Sequence, residues 1–405
     1  MRRRKVVVLG ATGSIGESAQ KVARDIPERM EIVGLSAHSQ REKLEAAAKE
    51  FPNARLCISG NGGEEGLLEL ATLPEADLVL IAIVGTGGLK PALAAIEAGK
   101  DIAVASKEIL VMAGEAVMTA ARRKGVQVLP VDSEHNAIFQ CLEGRMTRNG
   151  EHRTSNIEHR TPNEEGASGR SSTFDVRRSA FDVSEIRRLI LTASGGPFRQ
   201  MPAAQLATVT VEQALKHPTW TMGAKITIDS ATLFNKGLEM IEARWLFDVE
   251  MARVDVIVHP QSIIHSMVEF IDGSTLAQLS TTDMCFPIQY AVTWPDRVPN
   301  RLPPLDFAQL AQLTFEAPRR ADFPALDLAR WAGETGGTLP AVLNAANEIA
   351  VAAFLARRCA FPTIWQTVER VMREHSASQH GSLEDLLHAD DWARKRASEI
   401  LQTRG

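Results

Sequence analysis

The sequence contains few cysteines, little tyrosine and no long apolar run. Its 405 residues include four cysteines and one tyrosine. The cysteines lie far apart and form none of the Cys/His spacings typical of zinc sites, so we expect reduced thiols and a cytoplasmic protein. The apolar run after the basic residues 1–5 is too short for a secretory signal peptide, and no segment has the length of a transmembrane helix. We therefore expect no association with membranes.

The chain also lacks an excess of positive charge. A net charge of -5 gives no electrostatic reason to expect nucleic acid or an anionic membrane as a partner. Hydrophobic residues make up 44% and charged residues 23% of the chain, which is typical of a globular protein. At this length we expect two or three domains.

Residues 1–145 alternate short β-branched runs with amphipathic segments. This alternation predicts an α/β domain with a parallel, doubly wound sheet. The predicted strands are Lys5–Gly10, Glu31–Ser36, Leu78–Val84, Asp101–Ala105 and Val126–Val131.

The rest of the chain divides into four segments by composition. Residues 146–183 are rich in Arg, Glu, Ser and Thr and contain imperfect seven-residue repeats, so we interpret them as a disordered low-complexity insertion, with a docking role as the alternative. Residues 184–298 mix strands with a predicted helix over Ser230–Phe247. Residues 299–310 form a predicted linker, and residues 311–405 a predicted helical domain.

A glycine-rich turn follows the first predicted strand and has the sequence Gly-Ala-Thr-Gly-Ser-Ile-Gly over residues 10–16. Glycines at this position let a pyrophosphate approach the N-terminus of the next helix, so the turn predicts dinucleotide binding. After the second predicted strand, His38, Ser39 and Gln40 stand where an NAD enzyme usually has an acidic residue. This difference favours NADP, with a solvated loop as the alternative.

Two carboxylates, Asp132 and Glu134, follow the last predicted strand of this domain. In an extended chain, residues two apart face the same way, so both can point to the carboxyl end of the sheet. Their repulsion favours a hard cation such as Mg²⁺ or Mn²⁺ between them. A pair of solvated loop acids is the alternative.

Two further motifs are typical of anion sites. Ser194 begins a Ser-Gly-Gly turn after a predicted strand, and the backbone amides of such a turn can bind an anion. Ser230 is the predicted N-cap of a helix on which Asn235 and Lys236 could reach a phosphate. Glu239 shares a face with Asn235 and could complete the metal site, although a surface ion pair with Lys236 is the alternative.

Residues 217–223 combine a proline and a glycine with large side chains. This composition suits a loop that closes over a site and excludes water. A buried structural role for Trp220 is the alternative.

Together these motifs resemble those of the 1-deoxy-D-xylulose 5-phosphate reductoisomerase family. The resemblance covers nearly the whole chain outside residues 146–183. It rests on GATGSIG, ASKE, PVDSEHNAIFQ, LTASGGPF, KHPTWTMG, IDSATLFNKGLE, HPQSIIHSMV and LNAANE. It implies an α/β fold with an N-terminal Rossmann-type parallel sheet domain, a central α/β catalytic domain with a flexible flap, and a C-terminal α-helical domain.

The resemblance also implies a reaction. Members of this family convert 1-deoxy-D-xylulose 5-phosphate into 2-C-methyl-D-erythritol 4-phosphate in non-mevalonate isoprenoid biosynthesis. The carbon skeleton rearranges first, and NADPH then reduces the resulting aldehyde. The implied partners are a small phosphorylated sugar, Mg²⁺, Mn²⁺ or Co²⁺, and a second copy of the chain in a homodimer.

Site residues are carried over one by one from the matching motifs. The implied metal ligands are Asp132, Glu134 and Glu239, and Lys107 is the fourth implied catalytic residue. The implied cofactor residues are Thr12, Gly13, Ser14, Ile15, His38, Ser39, Gln40, Ser106, Glu108 and Gly223. The implied substrate residues are Lys107, Ser133, Glu134, Ser194, His217, Trp220, Ser230, Asn235, Lys236 and Glu239. Ser106 and Gln40 stand where Asn is common in the family, which puts a cofactor hydrogen bond in question.

Two other functions fit parts of the sequence. An NADP-linked dehydrogenase of the semialdehyde kind fits residues 1–145 but leaves the three carboxylates unexplained. A non-catalytic NADPH-binding sensor, with residues 146–183 as a docking arm, predicts disrupted catalytic residues. None of the matched catalytic residues is disrupted.

Overall fold

The protein is described by a computed structural model over residues 3–60, 63–143, 183–220, 222–378 and 381–402. The predicted insertion at 146–183 lies outside these residues, apart from Val183. Within the described ranges, no helix has both the length and the apolar composition that crossing a membrane requires.

The N-terminal region is a six-stranded parallel sheet with helices between its strands. The bounds are β1 Arg4–Leu9, α1 Ser14–Asp25, β2 Met30–Ala37, α2 Arg41–Glu50, β3 Arg55–Ile58, α3 Glu64–Ala71, β4 Leu78–Ile81, α4 Leu89–Glu97, β5 Asp101–Val104, α5 Lys107–Lys124, β6 Val128–Pro130 and α6 Ser133–Cys141. The strand order β3-β2-β1-β4-β5-β6 confirms the predicted Rossmann-type domain. β1 and β4 are central and read as continuous apolar runs because helices cover both faces of a parallel sheet.

The central region contains a smaller mixed sheet. Its bounds are β7 Ile186–Ala193, α7 Val211–Ala214, α8 Ala224–Thr232, α9 Phe234–Phe247, β8 Val254–Val258, β9 Ile264–Phe270, β10 Thr275–Leu279 and α10 Cys285–Thr293. The strand order is β10-β9-β7-β8, with β7 parallel to β8 and antiparallel to β9. Helices α6 and α9 pack against this sheet, so the metal-site and phosphate motifs share one layer.

The predicted helix over Ser230–Phe247 is wrong in one respect, because it is two helices. Leu233 lies between α8 and α9 with a φ of 66°. This left-handed backbone is unfavourable for a residue with a side chain and breaks a right-handed helix. Ser230 therefore lies in the last turn of α8 and is not the N-cap that the sequence predicted.

The C-terminal region is helical, as predicted. Its bounds are α11 Phe307–Leu310, α12 Ala325–Thr335, α13 Leu339–Leu355, α14 Thr363–Glu374 and α15 Leu383–Gln402. The short α11 falls within the predicted linker. Helix α12 packs on α9, and α13 packs on both α5 and α8, so these helices contact the other two regions.

Candidate active site

A cavity of about 480 Å³ opens at the carboxyl ends of β5 and β6. Ligands of open α/β sheets bind at this edge. The turn after β7, the loop before α8 and helix α9 enclose the cavity from the other side. The predicted site residues that line it are Ser14, Ile15, Lys107, Asp132, Ser133, Glu134, Ser194, His217, Trp220, Gly223, Ser230, Asn235 and Lys236.

The remaining predicted site residues do not line this cavity. They are Thr12, Gly13, His38, Ser39, Gln40, Ser106, Glu108 and Glu239. Glu239 is fully buried beneath the cavity, and the hydroxyl of Ser106 bonds the backbone oxygen of Ile83. His38, Ser39 and Gln40 are exposed after β2, at the same edge of the sheet.

The glycine-rich turn brings the backbone of β1 close to that of β4. Gly10 has a φ of +93°, and a Cβ there would lie 2.5 Å from the backbone oxygen of Ala82, so only glycine fits. Helix α1 begins at Ser14, and its N-terminus faces the cavity through Ser14 and Ile15. This arrangement can hold a pyrophosphate.

Three carboxylates, Asp132, Glu134 and Glu239, offer oxygen atoms within 4.8 Å of one another. The predicted reason for the proximity of Asp132 and Glu134 is wrong, because α6 already begins at Ser133 and the pair is not in extended chain. Asp132 precedes the helix, Glu134 is in its first turn, and α9 supplies Glu239. All-oxygen donors of this kind fit Mg²⁺ or Mn²⁺.

Lys107 lies among these carboxylates. Its Nζ is 2.6 Å from Oδ2 of Asp132 and 3.1 Å from Oε1 of Glu239, and it donates to Oδ1 of Asn235 at 2.8 Å. The lysine begins α5, directly after β5, so its position depends on the end of that strand.

Lys236 approaches the same cluster from α9. Its Nζ is 2.6 Å from Oε1 of Glu134 and 2.5 Å from Oε2 of Glu239. The Lys236–Glu239 pair is therefore not the surface ion pair that the sequence left open, since both residues are buried. The three carboxylates carry one more charge than the two ammonium groups can neutralise, and a bound cation could balance that excess negative charge.

Burial and charge shift the pKa values of the cluster in opposite directions. Burial would lower the pKa of Lys107, but Asp132 and Glu239 outweigh it and hold that pKa well above its ordinary value. Burial would raise the pKa of Asp132, but Lys107 and His135 bring it below its ordinary value. Burial and the charge of Glu134 raise the pKa of Glu239 to about 7, despite the lysines.

A second group of potential ligands consists of Asp132, His135 and Glu242. Nε2 of His135 donates to the backbone oxygen of Glu239 at 2.9 Å, and Nδ1 is 3.1 Å from Oε2 of Glu242 without hydrogen-bond alignment. His135 and Glu242 are buried and do not line the cavity. Only one member of this group lines the cavity, whereas both Asp132 and Glu134 of the first group do, so a metal that must contact substrate is better placed at Asp132, Glu134 and Glu239.

Ser194, His217 and Ser230 form a polar triad on the other wall. Nδ1 of His217 accepts from the backbone N–H groups of Thr219 and Trp220 at 3.1 and 2.9 Å. Burial lowers the pKa of His217, so the ring is neutral near pH 7 and carries its proton on Nε2. The single Nε2 hydrogen is then shared between the hydroxyl oxygens of Ser194 at 2.9 Å and Ser230 at 3.1 Å.

This arrangement leaves the hydroxyl hydrogens of Ser194 and Ser230 available to an anion. Gly196 has a φ of +67°, and a Cβ there would lie 2.9 Å from the backbone of Ala231. The glycine thus allows the turn to approach α8, which brings the two serines together. Asn235 and Lys236, predicted with Ser230, instead contact the carboxylates.

Ser262 and His265 also line the cavity, and reasoning from single residues missed them. Nε2 of His265 is 2.9 Å from Oγ of Ser280, and its ring centroid is 6.5 Å from that of Trp220. The motif HPQSIIHSMV contains both residues, and its paired histidines were the available signal.

Three family models match the chain. The model for 1-deoxy-D-xylulose 5-phosphate reductoisomerase matches residues 6–62 and 59–114. The model for the C-terminal domain of the same enzyme matches residues 167–247, and that for the DXP reductoisomerase C-terminal domain matches residues 279–396.

Curated relatives of the same name match at full length. The 1-deoxy-D-xylulose 5-phosphate reductoisomerase of Pelotomaculum thermopropionicum is 44% identical, over 98% of this chain and 99% of the relative. The protein of that name from Chlorobaculum tepidum is 47% identical, over 97% of this chain and 98% of the relative.

Solved structures agree over nearly the whole chain. The reductoisomerase of Zymomonas mobilis in complex with NADPH has a TM-score of 0.84 and 40% identity, with 99% of each chain covered. A DOX-P reductoisomerase in complex with NADPH, fosmidomycin and magnesium has a TM-score of 0.86 and 39% identity, with 98% of each chain covered.

Proposed function

The chain belongs to the 1-deoxy-D-xylulose 5-phosphate reductoisomerase family, and from this premise we propose which of its residues carry the family's reaction. The protein is an NADPH- and divalent-metal-dependent enzyme that rearranges and reduces 1-deoxy-D-xylulose 5-phosphate to 2-C-methyl-D-erythritol 4-phosphate in isoprenoid biosynthesis. One observation carries the assignment of the site: the carboxylate cluster and the polar triad face one cavity beside the N-terminus of α1.

In this proposal Asp132, Glu134 and Glu239 hold the metal. When bound, a divalent ion polarises oxygen atoms of the substrate and stabilises negative charge that develops on them. Lys107 donates a hydrogen bond to a sugar oxygen in place of one of its three present acceptors and helps to neutralise the same charge. Its Nζ already lies within hydrogen-bond distance of two of the carboxylates, so it is held beside the reacting atoms.

Ser194, His217 and Ser230 bind the phosphate of the sugar, with two hydroxyls as donors. A phosphate is remote from the reacting carbons, so its binding energy can drive orientation and closure. Trp220 and Gly223, in the loop that follows His217, close over the sugar and exclude water. Ser133, Asn235 and Lys236 complete the substrate contacts from the floor of the cavity.

NADPH occupies the edge formed by the first sheet. Thr12 to Ile15 hold the pyrophosphate at the N-terminus of α1. His38, Ser39 and Gln40 are exposed and carry no carboxylate, which suits a 2′-phosphate. Ser106 and Glu108 take the nicotinamide half, next to Lys107.

The direct test is NADPH oxidation, followed by absorbance, with 1-deoxy-D-xylulose 5-phosphate and Mg²⁺. We expect turnover that a chelator abolishes and that added Mn²⁺ or Mg²⁺ restores. A semialdehyde dehydrogenase would instead oxidise NADPH with a semialdehyde and without metal, and a sensor would bind NADPH without turnover. No turnover by folded protein that binds NADPH would overturn the proposal.

We expect Ser194→Ala to raise the KM for the sugar phosphate by about tenfold, because a hydrogen bond to a charged group contributes about 1.5–3 kcal/mol. The kcat should also fall, because the binding energy of the phosphate drives orientation and closure in this proposal. A matched control is Ser398→Ala, whose hydroxyl donates to the backbone oxygen of Arg394 in its own helix. The preference for phosphorylated over dephosphorylated sugar should fall in the first variant alone; an unchanged preference would remove Ser194 from the phosphate site.

We further propose that the enzyme is a homodimer that pairs through β10. This strand is at the edge of the smaller sheet, and its first three residues are exposed. Leu276 on this strand and Ile271 just before it are 44% and 68% exposed. Apolar edge strands readily pair with another chain. We expect a dimer in sedimentation velocity and mostly monomer for Leu276→Lys; a wild-type monomer at micromolar concentration would contradict the proposal.

We also propose a cytoplasmic location. All four cysteines, Cys57, Cys141, Cys285 and Cys359, are free. Burial raises the pKa of Cys285 to about 12 and that of Cys141 to about 11, which keeps both thiols protonated and unreactive. Free thiols of this kind fit a reducing compartment.

A further inference from the structure

Buried polar contacts connect the C-terminal helices to the loop over the cavity. Nδ2 of Asn347, on α13, donates to Oδ1 of Asp229 at 2.8 Å. Oδ2 of Asp229 is 2.9 Å from Nζ of Lys225, one turn earlier on α8. Nζ of Lys225 then donates to Oε1 of Glu108, on α5, at 2.9 Å. We call these four residues the hinge network.

The hinge network lies beside the cavity, at the C-terminal end of the loop formed by residues 217–223, which we call the closing loop. Lys225 is two residues after Gly223, and Gly223 and Ile226 both line the cavity. Lys225 is in the first turn of α8, directly after the loop. Its ion pair with Glu108 therefore connects the end of the loop to α5. Asp229 ties the same helix to α13. The three regions of the chain therefore meet at the C-terminal end of the closing loop, which we call its root.

Stability alone is a poor explanation for this network. Asp229 and Asn347 are buried, and Oδ1 of Asn347 has no hydrogen-bond partner among the described residues. Burying ion pairs and half-satisfied amides stabilises a fold less than apolar packing does. Such groups are better explained by the geometry that they impose.

The charges of the network persist near neutral pH. Burial would lower the pKa of Lys225, but Asp229 and Glu108 raise it above its ordinary value. Burial would raise the pKa of Glu108, but Lys225 brings it below its ordinary value. Lys225 and Glu108 are thus both charged near neutral pH, and their ion pair is formed there.

We propose that Lys225, Asp229 and Asn347 are positioning residues of the reaction, which fix the root of the closing loop and the Glu108 carboxylate against the C-terminal helices. The inference rests on the proposed function of the cavity. Without the Asn347 amide, the Asp229 carboxylate loses the contact that sets its rotamer, and Lys225 follows it. The loop then closes over the sugar and the nicotinamide in a less productive geometry.

Asn347→Ala tests the proposal, with Asn344→Ala as its control. Asn344 lies one turn earlier on α13, is equally buried, and also has an Oδ1 without a partner in the described part of the chain. Its Nδ2 donates at 3.1 Å to Glu348 of its own helix and not to the hinge network. Both variants therefore lose a buried amide, but only Asn347→Ala releases Asp229.

Relative to the control, we expect Asn347→Ala to lower kcat by about tenfold and to raise the KM values for NADPH and for the sugar phosphate severalfold. The melting temperatures should be similar. A purely structural role would lower the melting temperature and the active fraction without changing either KM. Equal kcat and KM values for the two variants would overturn the proposal.

Asp229→Asn provides a second test that does not depend on the stability of the first variant. The amide is isosteric with the carboxylate and leaves Lys225 paired with Glu108. We expect the same rise in both KM values, and wild-type KM values would also overturn the proposal. If the wild-type protein shows no turnover, the proposed function fails instead, which separates the two failures.

Discussion

Replacing Glu134 with Gln is expected to lower turnover by about a thousandfold, or about 4 kcal/mol in the transition state, while NADPH still binds. Glu134 and Asp132 are the two carboxylates of the proposed metal site that line the cavity. An amide is a neutral and weaker ligand for a hard cation. The substitution also removes the negative charge that lies 2.6 Å from Lys236. NADPH affinity should change little because the proposed pyrophosphate site lies at the N-terminus of α1.

Three measurements on this variant separate the metal from the cofactor. Turnover reports the reaction, quenching of protein fluorescence reports NADPH binding, and calorimetric titration reports Mn²⁺ affinity, which should fall at least tenfold. Glu143→Gln is the matched control, since Glu143 follows the same helix and pairs with Arg297 at the surface. If NADPH affinity and activity fall together, the metal has been assigned to the wrong residues.

Replacing Lys107 with Met should lower kcat by a similar factor, about a thousandfold. The ammonium group is buried among two carboxylates and Asn235, where a hydrogen bond to a developing charge is strong. Met retains the length of the side chain but carries no charge. Mn²⁺ affinity should not fall, because the substitution removes a cation that neutralises Asp132 and Glu239.

The combination of lost turnover and retained metal affinity distinguishes Lys107 from the ligands. Lys124→Met is a suitable control, because Lys124 ends the same helix and pairs with Glu97 at the surface. Lys107→Arg should recover little activity, since a planar guanidinium does not replace a compact ammonium group among three acceptors. Activity within tenfold of wild type in Lys107→Met would make Lys107 a structural counter-ion only.

Much of the fold could be predicted from local patterns. β1, β4 and β5 appear as buried apolar runs, and their predicted positions agree with the structure to within a few residues. β3 was not predicted, because it has four residues at the sheet edge and two of them are exposed. A short, half-exposed strand carries little hydrophobic pattern.

The predicted helix over Ser230–Phe247 shows where a local pattern misleads. Its residues have good helical periodicity, but Leu233 is buried in a left-handed conformation that splits the helix. Packing of α9 against the sheet and of α8 against α13 must outweigh the local cost of that conformation. Ser230 consequently contacts His217 from the end of α8, and its predicted role as an N-cap is lost.

The residues of the site also fall into two groups, those identified from the sequence and those placed only by tertiary contacts. The sequence identified the glycine-rich turn, the Asp132–Glu134 pair and the residues of the phosphate motifs, because these are short motifs with a chemical meaning of their own. The resemblance added the reaction and Lys107. Neither placed Lys225 or Asn347 near the cavity, since the contacts of these residues link α5, α8 and α13.

The order of the elements and the identity of the reactive side chains thus follow from the sequence, because backbone preference and hydrophobic period act over one or two turns of chain. Which side chains meet does not follow, because it depends on packing between distant segments. Glu239 reaches Lys107 across 132 positions of sequence, and Asn347 reaches Asp229 across 118. Only the joint burial of these segments brings the proposed metal ligands, the proposed phosphate site and the hinge network to one cavity.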